Sequence, residues 1–339
     1  MKALFINGIR NISIGPAPEP DAGNANVPIA VAGVGVCGSD LHYYLEGGIS
    51  SQTIAAPFVP GHEFAGHVLE NRPELGLQRG ELVAVDPATP CGHCEWCHRG
   101  EINLCPNTVF MGAPPYPGAM VERIAVDPAQ VIKVPQDFTV DEIMMLEPLG
   151  VAIHAIDLAK PRLLESVAVI GCGPIGLLMI ALARLAGVGK IYAVDPVGYR
   201  AAAAGVEGAD KIGADRREIA EWTAGRGVDL VLEATNSPHG FQHAAEAARI
   251  GGRVVLVGIP EGDSYTLVAG LARRKGLTIK FSRRMGHVYP RAIELVAGRR
   301  LDVGRIVTHH FGLADGARAF ELQAECADGA LKSLILPNG

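Results

Sequence analysis

Several things are scarce in these 339 residues, and each scarcity excludes a class of protein. Asp, Glu, Lys and Arg together make up only 19% of the chain, the formal net charge is −6, and no block of five like charges occurs. That excludes a broad nucleic-acid surface and a polybasic membrane anchor, and leaves only small basic clusters such as residues 273–275. Long hydrophobic runs are missing as well. The longest, residues 175–185, contains Arg184 and falls well short of the ~20 apolar residues that a bilayer-crossing helix needs. The opening Met-Lys-Ala-Leu-Phe-Ile-Asn-Gly turns polar too soon for a signal peptide. Internal repeats and low-complexity tracts are absent from the sequence. The expectation is a soluble, cytoplasmic protein with neither nucleic acid nor membrane as a partner.

Apolar material, by contrast, is plentiful. Hydrophobic residues make up 48% of the chain, so order is expected throughout except around residues 15–26, and 339 residues exceed what one core usually holds, which predicts two domains. Seven cysteines stand at positions 37, 91, 94, 97, 105, 172 and 326, an odd number with four of them inside fifteen residues. Without an export signal, that clustering favours metal binding over disulfides.

The texture of the sequence divides the chain. Residues 1–150 are rich in Gly, Pro and Val, with short apolar runs such as 81–85 and 120–126 between turn residues, the pattern of a β-rich domain. From about residue 165, strand-like runs (167–170, 191–194, 230–232, 254–257, 278–281) alternate with helix-like ones (175–186, 216–224, 240–248), which predicts βαβ units and a parallel sheet. Beyond residue 283 come a helix-like 289–297, a strand-like 306–310, a helix-like 314–323 and an apolar 331–336 expected to dock back on the first domain. The expected fold class is therefore α/β: a doubly wound parallel sheet, residues 151–282, inserted into a discontinuous β-rich domain, residues 1–150 and 283–339.

Gly171-Cys172-Gly173-Pro174-Ile175-Gly176 fits the fingerprint G-x-G-x-x-G, and Asp195 follows nineteen residues after its last glycine. Alone the fingerprint is weak. Its place between an apolar strand and a helix pattern, with an acid closing the next strand, makes it a strong sign of a dinucleotide site. Gly171 allows the tight turn, Gly173 admits the pyrophosphate to the backbone, and Gly176 brings helix and sheet together. Pro174 and Ile175 open the helix whose free N–H groups face the phosphates. Asp195 accepts hydrogen bonds from ribose hydroxyls and repels a 2′-phosphate, so NAD is expected rather than NADP. Arg200 is placed to stack on adenine, or alternatively to meet a 2′-phosphate.

Cys91, Cys94, Cys97 and Cys105 follow C-x2-C-x2-C-x7-C, a closed thiolate set suited to a structural zinc, with His93 and His98 surplus. An iron–sulfur cluster or short-loop disulfides are the alternatives. Further candidates are scattered: Cys37 in Gly-Val-Cys-Gly-Ser-Asp-Leu-His-Tyr-Tyr, His62 and Glu63 in Pro-Gly-His-Glu-Phe-Ala-Gly, and Glu147 in Leu-Glu-Pro-Leu. From the residues alone, each is a polar group in a glycine-rich loop, as often structural as functional.

In this order, over essentially the whole chain, these segments resemble the zinc-containing medium-chain dehydrogenase/reductase superfamily. The stretches that begin at Cys37 and at Glu147 are most similar to its sorbitol, xylitol and idonate dehydrogenase branch. The resemblance implies a GroES-like catalytic domain around a Rossmann unit, and one catalytic and one structural zinc per chain. It implies Cys37, His62 and Glu63 as ligands of the catalytic zinc, with Glu147 as an alternate or water-bridging one. It also implies Ser39 as the proton relay, Asp40 as the carboxylate that holds His62, and Tyr43 and Arg284 as substrate contacts. Arg283 and Met285 stand where the branch has Phe and Tyr around that arginine, which points toward a substrate other than sorbitol, such as a sugar acid or a phosphorylated polyol. The implied activity is NAD-linked oxidation of a secondary alcohol in a polyol or sugar-like substrate, in a dimer or tetramer whose strands near residues 254–281 often pair across the interface. The alternatives are a threonine-dehydrogenase-like or simple alcohol dehydrogenase and a non-catalytic nucleotide-binding protein. The second has no need of Cys37, Ser39, His62, Glu63 and Glu147.

Overall fold

A computed structural model describes every residue except 22 and 24, so that part of the 15–26 segment lies outside the described residues. The chain divides into two compact units, Met1–Glu147 with Tyr289–Gly339, and Pro148–Val288.

The first unit is built around the strand Val27–Gly35. Its alternate residues Val27, Ile29 and Val31 are fully buried, and β-branched side chains at a two-residue period are what a pleated, half-buried surface accepts best. Glu63–Val68 pairs with it antiparallel on one flank, followed outward by Leu82–Val85 and Val131–Lys133. Arg123–Val126 and Lys332–Leu336 pair with it antiparallel as well, and Val307–Gly312 lies parallel to the last of these. The register sets Gly35 opposite both Glu63 and Leu334, so three strands distant in sequence meet at one end of the sheet. The apolar tail expected at 331–336 is thus a strand of this sheet. Phe64, Phe320, Leu4, Ile6 and Ile29 fill the core, and truncating either phenylalanine to alanine would cost about 3–5 kcal/mol. A hairpin of Lys2–Gly8 and Asn11–Pro16 packs on the same core.

In the second unit six strands lie in the order Lys211–Gly213, Lys190–Val194, Ser166–Ile170, Val228–Glu233, Ala248–Leu256, Thr278–Phe281, and every pairing is parallel. By sequence that is 3-2-1-4-5-6, the doubly wound order of dinucleotide-binding sheets. Val167, Ala168 and Val169, and likewise Leu230, Val231 and Leu232, are wholly buried on both faces. Helices cover such a sheet on each side, which explains continuous apolar runs in place of alternation. Several elements escaped the sequence pattern, among them the helix Ala269–Lys275. The edge strand Lys211–Gly213 has three residues with one half-exposed isoleucine, and the helix Gly198–Val206 has four alanines among its nine residues. Among the described residues, no helix is long and apolar enough to cross a membrane.

Candidate metal centre and dinucleotide site

The four-cysteine segment folds as a small lobe. Cys94 caps the short helix Glu95–His98, which carries Cys97, and a one-turn helix Ile102–Leu104 delivers Cys105. All four sulfurs lie within 4.8 Å of one another. Cys94 Sγ is 3.5 Å from Cys97 Sγ, and Cys105 Sγ is 3.6 Å from Cys91 Sγ. A tetrahedron of Zn–S bonds near 2.3 Å has edges of about 3.8 Å, so the set fits a single ion. A cluster of several irons would hold its cysteines farther apart, and none of the seven cysteines is in a disulfide. His93 turns to the Cys91 carbonyl at 2.7 Å, and both it and His98 are exposed. The thiols are unlike one another: the Cys91 amide and other donors pull Cys105 down to about 6, while lost hydration pushes Cys97 up to about 12.

The second set comes from the end of the large sheet. Cys37 is the N-cap of the helix Gly38–Glu46, two residues beyond the strand Val27–Gly35, and Glu63 begins the neighbouring strand. Ligand atoms of Cys37, His62 and Glu63 lie within 4.8 Å of one another. A fully buried Asp40 ties the two loops together: its Oδ2 accepts from the Cys37 amide at 2.9 Å and its Oδ1 from the Gly61 amide at 3.1 Å. Gly61 has a φ of +98°, the left-handed region in which glycine is at ease, and that turn aims its N–H at Asp40. Asp40 stands 3.8 Å from His62 Nδ1, beyond hydrogen-bond range, so its hold is on the loops on either side of the ligands more than on the imidazole. His62 Nδ1 is buried without a hydrogen-bond partner, and the ring lies 5.3 Å from that of Phe110. A thiol, an imidazole and a carboxylate that converge, the imidazole with a buried and unsatisfied nitrogen, form a donor set that fits zinc.

The remaining residues singled out by sequence fall in varied settings. Glu147 lies outside the convergent trio, in the first turn of the helix Leu146–Ala159. Burial pushes its acid up to about 7; the His62 charge works against that rise and the Glu63 charge adds to it. Burial also pushes the Cys37 thiol well up, reinforced by Glu63. Ser39 is half-buried in the first turn of the helix that Cys37 caps. Tyr43 is only 2% exposed and sits edge-on to Phe58 at 5.5 Å, so its ring is part of the core. Arg284, in the other unit, is half-buried with a φ of +51°. Its neighbour Met285 is turned inward, where Gly150 leaves it room.

Sequence reasoning missed Lys332. Its ammonium and the Glu63 carboxylate form an ion pair in which both side chains are almost completely buried. Burial opposes the ammonium, but the charges of Glu63, Cys37 and Asp40 prevail and hold its pKa above the ordinary lysine value. A lysine in an apolar terminal strand was the available signal, since a charge in a core position requires a partner.

In the second unit, the strand Ser166–Ile170 leads through the glycine fingerprint into the helix Pro174–Leu185, with Gly173 as N-cap and Pro174 at the first position. Gly171 has a φ of +91°, and a Cβ on Gly176 would run into the Gly171 carbonyl. A Cβ on Gly173 would meet nothing within 4 Å, so that glycine borders open space at a helix N-terminus, the place for a phosphate. Ile175 follows in the first turn. Asp195 closes the next strand, 5% exposed, and accepts from the Cys172 amide at 2.7 Å and the Val197 amide at 2.8 Å. The Arg200 guanidinium lies 6.0 Å over the Tyr199 ring.

Comparison with known proteins agrees with this construction. Residues 23–136 match the family model of the alcohol dehydrogenase GroES-like domain, and residues 174–298 match that of zinc-binding dehydrogenases. The chain is 34% identical to sorbitol dehydrogenase of Bacillus subtilis, an alignment covering 100% of this chain and 98% of that one. It is 31% identical to L-idonate 5-dehydrogenase of Vitis vinifera, over 95% of this chain and 91% of the relative. Among solved structures, L-idonate 5-dehydrogenase of Escherichia coli superimposes with a TM-score of 0.90 at 25% identity, covering 99% and 97% of the two chains. The chain belongs to the zinc-binding, medium-chain alcohol dehydrogenases, in the branch of the polyol dehydrogenases.

Proposed function

We propose that this enzyme oxidises a secondary hydroxyl of a polyol or sugar acid to the ketone and passes the hydride to NAD. The observation that carries the reading is the convergence of Cys37, His62 and Glu63 in a chain whose other unit places Asp195 directly after its second strand. Cys37, His62 and Glu63 would hold the catalytic zinc, and the four-cysteine lobe a structural one. Zinc so held supplies a Lewis acid that makes a bound alcohol easier to deprotonate. NAD supplies the hydride acceptor.

The chain's own residues divide the rest of the work. Asp40 fixes the loops that carry the ligands, so their donor atoms are arranged before substrate arrives. Ser39 takes the hydroxyl proton outward, because a half-buried hydroxyl two residues from a ligand can both accept and donate. Glu147, with a pKa raised to about 7, carries a proton part of the time at neutral pH and can exchange it with a substrate hydroxyl. Tyr43 serves as a wall behind the site more than as a hydroxyl donor. Arg284, beside exposed Arg283, binds a substrate oxygen and favours an anionic substrate over a neutral one. Gly171, Gly173, Pro174, Ile175 and Gly176 seat the pyrophosphate. Asp195 favours NAD over NADP, and Arg200 borders the adenosine.

A dimer or tetramer is the assembly we propose. Its support is the outermost strand Thr278–Phe281, which leaves Phe281 60% exposed. A reducing compartment such as the cytoplasm suits the open thiols of the lobe.

The test is a panel of polyols, sugar acids, phosphorylated polyols and simple alcohols with NAD or NADP, followed by reduced-cofactor absorbance with and without a chelator. Chelator-sensitive NAD reduction with a polyol or sugar acid is the expected result. Turnover confined to simple primary alcohols, or unaffected by full metal removal, would refute the reading.

A further inference from the structure

Three acids, Asp40, Glu63 and Glu147, are buried near the half-buried Cys37 at one end of the sheet of the first unit. Without a cation, such a set is costly to bury, because each carboxylate loses hydration and faces like charge. Lys332 answers both costs. Its strand is locked beside Cys37: Val36 donates to the Ser333 carbonyl at 2.9 Å, and Gln323 bridges the Val36 carbonyl and the Ser333 amide at 2.8 and 3.0 Å. Its ammonium reaches Glu63 Oε2 through space that Gly35 leaves open. A Cβ on Gly35 would collide with Glu63 Oε2, Met144 Sδ and the Lys332 Cε. The cation is therefore built in by a strand register, a glycine and a side-chain clamp.

We infer that Lys332 stands in for part of the metal's charge, letting the acidic cluster fold before metal arrives and limiting how tightly the metal is then held. The inference rests on the reading that Cys37, His62 and Glu63 hold zinc. Two effects of removing the ammonium have the same sign. The metal-free protein is left with an unpaired buried carboxylate, which metal binding then relieves. The metal-bound protein loses a repulsion between two cations that share Glu63. Both strengthen zinc binding at this site, and ligand binding to the folded state is read directly as added thermal stability.

The experiment compares the parent, Lys332→Met and Lys332→Arg, each with zinc kept in the four-cysteine lobe. A Cys37→Ser control identifies which zinc equivalent belongs to this site. Zinc affinity is measured by competition with a chromophoric chelator, and Tm with and without that equivalent. Lys332→Met should bind zinc at least tenfold tighter than the parent, with a lower metal-free Tm and a larger rise on zinc addition. Lys332→Arg should stay within about threefold of the parent. Lys332→Met protein that accumulates folded only when zinc is supplied would support the same conclusion.

If zinc does not rescue Lys332→Met, the double variant Glu63→Gln/Lys332→Met decides: it should fold without zinc, and failure to do so overturns the inference. Unchanged or weaker zinc binding in Lys332→Met, or an equal gain in Lys332→Arg, overturns it too. A parent and a Cys37→Ser control that hold the same number of zinc equivalents would instead remove the metal reading on which the inference stands.

Discussion

The two thiol-bearing clusters of this protein solve opposite problems. The lobe is local: four sulfurs from fifteen consecutive residues converge within 4.8 Å of one another, using two short helical turns and no strand of the main sheet. The mixed cluster is assembled from residues 37, 62 and 63 on neighbouring strands and their loops, with Lys332 arriving from the far end of the chain. Around the lobe's sulfurs the charge-stabilising partners are backbone amides, such as that of Cys91 at Cys105 Sγ. The mixed cluster carries its own cation and a carboxylate brace, Asp40, that accepts from the backbone of both ligand-bearing loops. A closed, uniform donor set leaves no place for a reacting oxygen. A mixed trio does, and that separates a scaffold ion from a working one.

The largest expected effect tests that separation directly. Cys37→Ala should lose one zinc per chain and nearly all activity, at least ~10⁴-fold in kcat, while the lobe keeps its zinc and the far-ultraviolet spectrum stays unchanged. An active, zinc-depleted Cys37→Ala enzyme would erase the distinction. Cys94→Ser is the counterpart: loss of the lobe zinc should lower stability by on the order of 3 kcal/mol and Tm by roughly 6–12 °C, with turnover in the cold largely retained. Equal damage to kcat from both variants would mean that the lobe takes part in the chemistry.

Ser39→Ala sharpens the picture within the mixed site. It should lower kcat about 10²-fold with zinc content and substrate KM little changed, because a proton path is removed and not a ligand. Elemental analysis beside steady-state kinetics reads both quantities. The smallest effect lies in pH. Cys97 titrates near 12 in the metal-free lobe, so it is protonated at neutrality and zinc must displace that proton. Lobe affinity should therefore rise with pH between 6 and 8, by about tenfold per unit from this thiol alone, in a chelator competition. A flat profile would mean that Cys97 is not a ligand.

The same contrast explains what could be read in advance. Spacing alone announces the lobe, because its geometry is contained in a single short segment. The parallel sheet was legible because Val167–Val169 and Leu230–Leu232 are apolar without interruption, and such runs between helix patterns have few other homes. The glycine fingerprint was legible through its neighbours. Cys37, His62 and Glu63 were different: nothing in the sequence says that residue 35 faces residue 63, and only the resemblance to known dehydrogenases joined them. Lys332 stayed hidden for the same reason, since its partner is set by sheet register.

Asp195 has a consequence for anyone who wishes to change the cofactor of this enzyme. Its two carboxylate oxygens already serve as acceptors for the backbone of the loops on either side of the cofactor's expected seat, at Cys172 and Val197. The residue pins two loops as well as standing where the proposed cofactor selector is expected. Replacing it with alanine to admit a 2′-phosphate would free both loops at once, and looser binding of every nucleotide would mask any gain in selectivity. A redesign toward NADP should start from Asp195→Asn or Asp195→Ser, which keep an acceptor for one amide, and add the positive charge elsewhere.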